Sequence, residues 1–212
     1  MIRAVVCDFG GVLTTSLHDA FKAWERESGI ALEHLGQAMV TLHDREGAHP
    51  LYELECGRIT EASFHERLGA QMSADLGRPV DMSGFTETYF RHLHPNEELL
   101  AHLGGLRARG VPMALLTNNV REWEPRWRAM LPVDELFDVV VDSAYVGMRK
   151  PDEEIYRLTC ERFGHDPQAC LFVDDFAHNC DAAKAVGLTP VWHRGDTAAT
   201  IATIDALLLP DA

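Results

Sequence analysis

The chain has 212 residues, 46% hydrophobic and 25% charged, enough for the core of one domain, or of one domain with a modest insert. Its formal net charge of −14, from 19 lysines and arginines against 33 aspartates and glutamates, speaks for solubility and against nucleic acid, whose binders present a basic face. Five scattered cysteines with no CxxC pair read as reduced thiols of a cytoplasmic protein, excluding a disulfide framework and a zinc site.

The first apolar run, Ile2–Cys7, is cut short by Asp8, so it is too brief for a signal sequence or a membrane span. It suits a buried strand, followed by a Gly10-Gly11 turn. Roughly seventy residues without a convincing strand come next. Helical patterning marks Phe21–Ser28, Ala31–His43 and Thr60–Met72. Leu99, Leu103 and Leu106 then recur at helical spacing after Pro95. Strand-length runs return at Val111–Leu116, Val139–Val141, Cys170–Val173 and Thr189–Trp192. Asp166-Pro167 reads as an N-cap and first helical residue, and Ala182, Ala183 and Val186 as one face of a helix stopped by Gly187. Buried strands alternating with helices imply an α/β, Rossmann-like, doubly wound parallel sheet with an inserted helical cap. The expected boundaries are 1–14 with 91–212 for a discontinuous catalytic core, and 15–90 for the cap.

Open parallel sheets bind ligands at the carboxyl ends of their strands. There the chain sets Asp8, then Thr117-Asn118, then Lys150 beyond the loop Ser143–Arg149, then Asp174-Asp175. Three converging carboxylates repel unless a cation joins them, and an all-oxygen set favours Mg²⁺. Thr117, the backbone N–H groups after it, and Lys150 would then hold an anionic group against the metal. These are the parts of phosphoryl transfer with a carboxylate nucleophile.

DFGGVLTTS at Asp8–Ser16, LLTN at Leu115–Asn118, GMRKPDEEIY at Gly147–Tyr156 and FVDDFAHN at Phe172–Asn179 resemble the four ordered motifs of the haloacid dehalogenase superfamily. LYELECGRITEASF at Leu51–Phe64 is similar to the helical cap of its subfamily I. GMRKP followed by FVDD most resembles the branch of glucose-1-phosphate-type sugar phosphatases and the N-terminal phosphatase domain of soluble epoxide hydrolase. The resemblance implies Asp8 as nucleophile and metal ligand, the Gly10 carbonyl as a second ligand, Asp175 as a direct ligand of the metal, and Asp174 as a metal residue acting directly or through water. It implies Thr117, Asn118 and Lys150 as phosphate-binding residues. The expected function is Mg²⁺-dependent hydrolysis of a small phosphorylated metabolite, such as a sugar phosphate. Most such phosphatases carry an acid/base aspartate two residues after the nucleophile, where this chain has Gly10. One rival is a C–halogen hydrolase, which uses the same aspartate nucleophile without a metal; the other, supported by Gly10 alone, is a catalytically weak regulatory or binding protein.

Cap residues around His49–Glu55 are expected to face the site. His92 and His94 lack a third metal ligand, and Trp123 and Trp127, one helical turn apart, read as packing residues. His18, just past the turn, is a polar cap residue and a weak substitute for the missing acid.

Overall fold

The computed structural model describes residues 1–208; residues 209–212, the end of the expected core range, lie outside the description. Five parallel strands, β1 (Ala4–Cys7), β2 (Met113–Thr117), β3 (Val139–Asp142), β4 (Cys170–Asp174) and β5 (Thr189–Trp192), form one sheet in the order β3-β2-β1-β4-β5. Alternate residues of each strand enter opposite layers, as the two-residue period of a strand requires. Val5, Cys7, Leu115 and Val173 join one apolar cluster. Val6, Leu116 and Phe172 join the other. Both faces are thus covered, which is why the strands read as unbroken apolar runs.

From β1 to β2 the chain is helical: Leu17–Ser28, Leu32–Glu46, Pro50–Glu55, Glu61–Leu76, Phe85–Arg91 and Glu97–Ala108. Local signals set the ends. Ser16 accepts from the His18 N–H, Thr60 from Ser63 and Asn96 from Leu99, while Gly29 and Gly47 close helices in the left-handed conformation. The helices from Leu17 to Arg91 bury Trp24, Leu35, Leu42, Phe64, Leu68 and Phe85 in a third cluster, which Val120 from the segment after β2 joins. Leu99, Leu103 and Leu106 instead pack on the sheet. The outgoing and returning crossings are bonded, with Thr15 N–H donating to the His94 carbonyl (2.7 Å) and Asn96 N–H to that of Leu13 (2.8 Å).

Two local expectations are corrected. Asp166 does cap, accepting from Gln168 N–H at 2.8 Å, but the segment it caps is only a 3₁₀ turn, Pro167–Ala169. Cys170 is already extended and pairs with Ala4 in the sheet, so sheet pairing ends the helix that the cap began. The stretch after β3 is not wholly loop, because Asp142 accepts from Ala144 N–H and starts one helical turn, Ser143–Val146.

Candidate active site

The chain moves outward from β1 to β2 and β3, then crosses to β4 on the other side of β1. That reversal opens a crevice at the carboxyl edge, the ligand-binding place of such sheets. Asp8 follows β1, Thr117 ends β2 and Asp174 ends β4.

Lys150 is 1% exposed, with Nζ 2.6 Å from Asp8 Oδ1 and 2.7 Å from Asp174 Oδ2. Burial alone would lower its ammonium, but Asp174 and Asp8 more than offset that and hold it above its ordinary value. Burial pushes the Asp8 carboxyl well up, with Lys150 opposing and Asp174 and Asp175 adding to the rise. Phe9 N–H fixes Asp8 by donating to Oδ1 at 2.7 Å.

Asp174 is fully buried and its oxygens are taken. Oδ1 accepts from Phe176 N–H (2.8 Å), and Asn179 Nδ2 reaches Oδ1 and Oδ2 at 3.0 and 3.1 Å. Asp175 differs: its buried Oδ1 has no hydrogen-bond partner among the described residues, and burial followed by Asp174 raises its pKa to about 6. Asp8, Asp174 and Asp175 each bring one oxygen to a point where all lie within 4.8 Å of one another.

The turn after Asp8 sorts its glycines by role. Gly11 holds φ +75°, and a Cβ there would collide with Asp175 Oδ2, so only glycine lets the two loops approach. Gly10 lies outside the left-handed region and a Cβ would meet only Leu17, 3.1 Å away at its nearest.

Thr117 is buried beside Asn119, whose Nδ2 lies 3.5 Å from its Oγ1. The Asn118 amide is committed to the Lys150 backbone: Nδ2 donates to the Lys150 carbonyl (2.9 Å) and Oδ1 accepts its N–H (2.8 Å). Asn118 therefore aligns Lys150 with its side chain, and its backbone N–H and the second Nδ2 hydrogen remain for a phosphoryl oxygen.

A cavity of about 460 Å³ opens above these residues, lined by Asp8, Gly10, Thr117, Asn118 and Lys150 at one end and by the cap beyond. His49 and Glu55 line it. Arg149 Nε donates to Glu55 Oε2 at 2.6 Å, and burial still raises the Glu55 carboxyl against that arginine. His18 is exposed and does not line it. His92 Nε2 pairs with Glu27 Oε1 at 3.0 Å, and His94 is exposed, so neither belongs to the site. Trp127 packs edge-on against Phe9 in the core, whereas Trp123 donates to Glu61; both reach the cavity wall.

A family model described as haloacid dehalogenase-like hydrolase matches residues 2–187. The chain belongs to that family. It is accordingly an enzyme, a hydrolase. It is 29% identical over 214 residues to mouse acyl-CoA dehydrogenase family member 10, covering 97% of this chain but only 19% of that protein. The hydrolase thus corresponds to about a fifth of that relative. It is 28% identical over 211 residues to the sesquiterpene phosphatase astK of Aspergillus oryzae, covering 93% and 92% of the two chains. Among solved structures, a haloacid dehalogenase family enzyme of Bacteroides thetaiotaomicron, complexed with magnesium and inorganic phosphate, superposes with a TM-score of 0.64 at 21% identity, covering 91% and 94%. An L-2-haloacid dehalogenase of Xanthobacter autotrophicus gives 0.63 at 23%, covering 91% and 77%. At these identities the two structures establish the fold of the hydrolase alone.

Residue reasoning passed over Asn179, which orients Asp174, and Arg149, which pairs with Glu55. Both stand inside the four family-like motifs, and that position was the available signal. No helix among the described residues is long and apolar enough to cross a membrane.

Proposed function

We propose that the hydrolase is a Mg²⁺-dependent phosphomonoesterase that acts on a small phosphorylated metabolite through an aspartyl-phosphate on Asp8. The observation that carries this reading is Asp8 held against the buried Lys150 ammonium, beside an Asp175 oxygen with no partner. The donor set suits a hard cation, with three carboxylates in reach of one another and no thiolate or imidazole in the group. Asp8 and Asp175 would hold the ion with the Gly10 carbonyl, while Asp174, spent on Lys150 and Asn179, supports from behind. When bound, the ion would neutralise the carboxylates and the phosphoryl oxygens they face.

In the first step an Asp8 oxygen forms a bond to phosphorus while the ester P–O bond breaks, and the alcohol departs as its oxygen gains a proton. Water then attacks phosphorus, the bond to Asp8 breaks, and phosphate leaves. Lys150, the Thr117 hydroxyl and the backbone N–H groups after it would steady the phosphoryl oxygens throughout. A relative that is named a phosphatase along nearly its full length supports this chemistry. A metal-free C–halogen hydrolase would have little use for the unpartnered Asp175 oxygen beside Asp174. Assays for phosphate release with Mg²⁺ and for chloride release from 2-chloropropionate separate these two, and silence in both would indicate a binding protein.

Asp175→Asn is expected to weaken Mg²⁺ binding at least about tenfold, since an amide brings a neutral oxygen where the ion needs an anionic one. Isothermal titration of Mg²⁺ into parent and variant measures this, and equal affinities would remove Asp175 from the metal site.

Gly10→Asp is expected to raise turnover of esters with poor leaving groups by up to roughly 10²-fold, by supplying the absent acid/base. Gly10 is not left-handed, and the Cβ of the new residue would meet only the Leu17 side chain. Activated esters such as p-nitrophenyl phosphate should gain less at the first step. Unchanged rates for both ester types in a normally folded variant would show that proton donation is not limiting.

A further inference from the structure

The cavity wall changes character within a short distance of Asp8. Beyond the polar end stand Phe21, Leu35, Met39, Phe64, Phe85 and Tyr89. Apolar side chains outnumber the polar ones in this part of the wall, and several of the polar ones are already engaged. Glu55 is paired with Arg149, the Tyr52 ring stacks on His49 (4.2 Å between centroids) and under the Arg149 guanidinium (3.9 Å), and Asn179 Nδ2 donates to Asp174. Three lining polar atoms, His49 Nδ1, Trp127 Nε1 and Asn179 Oδ1, are buried without a partner among the described residues.

A ligand body placed here meets aromatic edges and aliphatic carbon. Each sugar hydroxyl stripped of water without a new partner would weaken binding. Each methylene buried would instead strengthen it. The wall therefore discriminates against a polyol and for a hydrocarbon, while Lys150 and Thr117 at the end of the cavity still require an anionic head. At about 30 Å³ per water-sized group, 460 Å³ holds on the order of fifteen such groups.

We propose that the substrate is the phosphate monoester of an apolar alcohol of about ten to twenty carbons, its chain lying among the cap helices and its phosphate at Asp8. This rests on the phosphomonoesterase reading and names the substrate class for it. It departs from the sugar phosphate suggested by motif resemblance, because the wall beyond the polar end is mostly aromatic and aliphatic.

The test is a series of n-alkyl phosphates from butyl to dodecyl, below their micelle-forming concentrations, with glucose 1-phosphate as the polar comparison. kcat/KM is expected to rise about fourfold per added methylene, the equivalent of ~0.8 kcal/mol, until the cavity is filled. In parallel, calorimetry follows binding of the matching alkyl phosphonates, which cannot be hydrolysed, and their affinity should climb with chain length too. Met39→Glu and Met39→Ala place a charge and a gap in the wall, and both should lower the dodecyl-to-butyl ratio of kcat/KM, the charge more strongly. A flat chain-length profile in turnover and binding, or preference for glucose 1-phosphate, would overturn the proposal. Should the phosphonates bind with the expected gain while no ester, p-nitrophenyl phosphate included, releases phosphate, the apolar pocket stands and the phosphatase reading falls.

Discussion

Replacing Asp8 with asparagine is expected to lower phosphate release from p-nitrophenyl phosphate by at least about 10⁴-fold and to leave the fold intact. The loss is large because an amide is a poor nucleophile and no other step compensates for an absent covalent intermediate. The fold should persist because the asparagine oxygen still accepts the Phe9 N–H now bound to Asp8 Oδ1, and Lys150 keeps Asp174 as its partner. Removing a buried carboxyl whose protonation burial already favours also lessens repulsion with Asp174 and Asp175. The measurements are steady-state turnover, circular dichroism, and acid-quenched mass spectrometry, which should find a phosphorylated Asp8 peptide in the parent and none in the variant. Retained turnover in a preparation free of contaminating phosphatase would rule out the covalent route.

Lys150→Met should be the most damaging change to stability among the site residues. The side chain is almost fully buried between two carboxylates at 2.6 and 2.7 Å. Taking one partner from a buried ion pair typically costs about 3–5 kcal/mol, because the remaining charge has neither water nor a counter-ion. In a chain of this size that is a fall in Tm of roughly 10 °C. Mg²⁺ should restore part of the loss, and raise Tm more in the variant than in the parent, since it brings positive charge back to the same carboxylates. Turnover should fall by roughly 10²–10³-fold even where the variant is folded, from loss of a fixed cation at the phosphoryl oxygens. Thermal melts with and without Mg²⁺, together with kcat/KM, measure both effects. A Tm within a degree or two of the parent would mean that Asp8 and Asp174 do not depend on Lys150 for their charge balance.

Strand β1 was legible because it is buried on both faces: Ala4–Cys7 is apolar without a break, and the first polar residue after it, Asp8, marks the functional edge. The same physics exposed Thr117 and Asp174 at the ends of β2 and β4. The helical insert showed in the strand-free stretch before Pro95, and the caps at Ser16, Thr60 and Asn96 are local chemistry written into neighbouring residues. What the fold alone decided is partner choice over long chain separations. Asn118 and Lys150, 32 residues apart, bond through the asparagine side chain and the lysine backbone, so a residue read only as a phosphate ligand also aligns the lysine. Glu55 and Arg149, 94 residues apart, neutralise each other in the cavity wall. Residue types alone left Gly10 and Gly11 equivalent, yet only Gly11 has a left-handed backbone against Asp175, whereas a Cβ at Gly10 would meet only the Leu17 side chain. The apolar cavity has no signature along the chain either, since its wall gathers one or two residues from each of many helices and loops. Periodicity tells which face of a helix is buried, but whether that face meets another side chain or an open space depends on how the helices are set against one another.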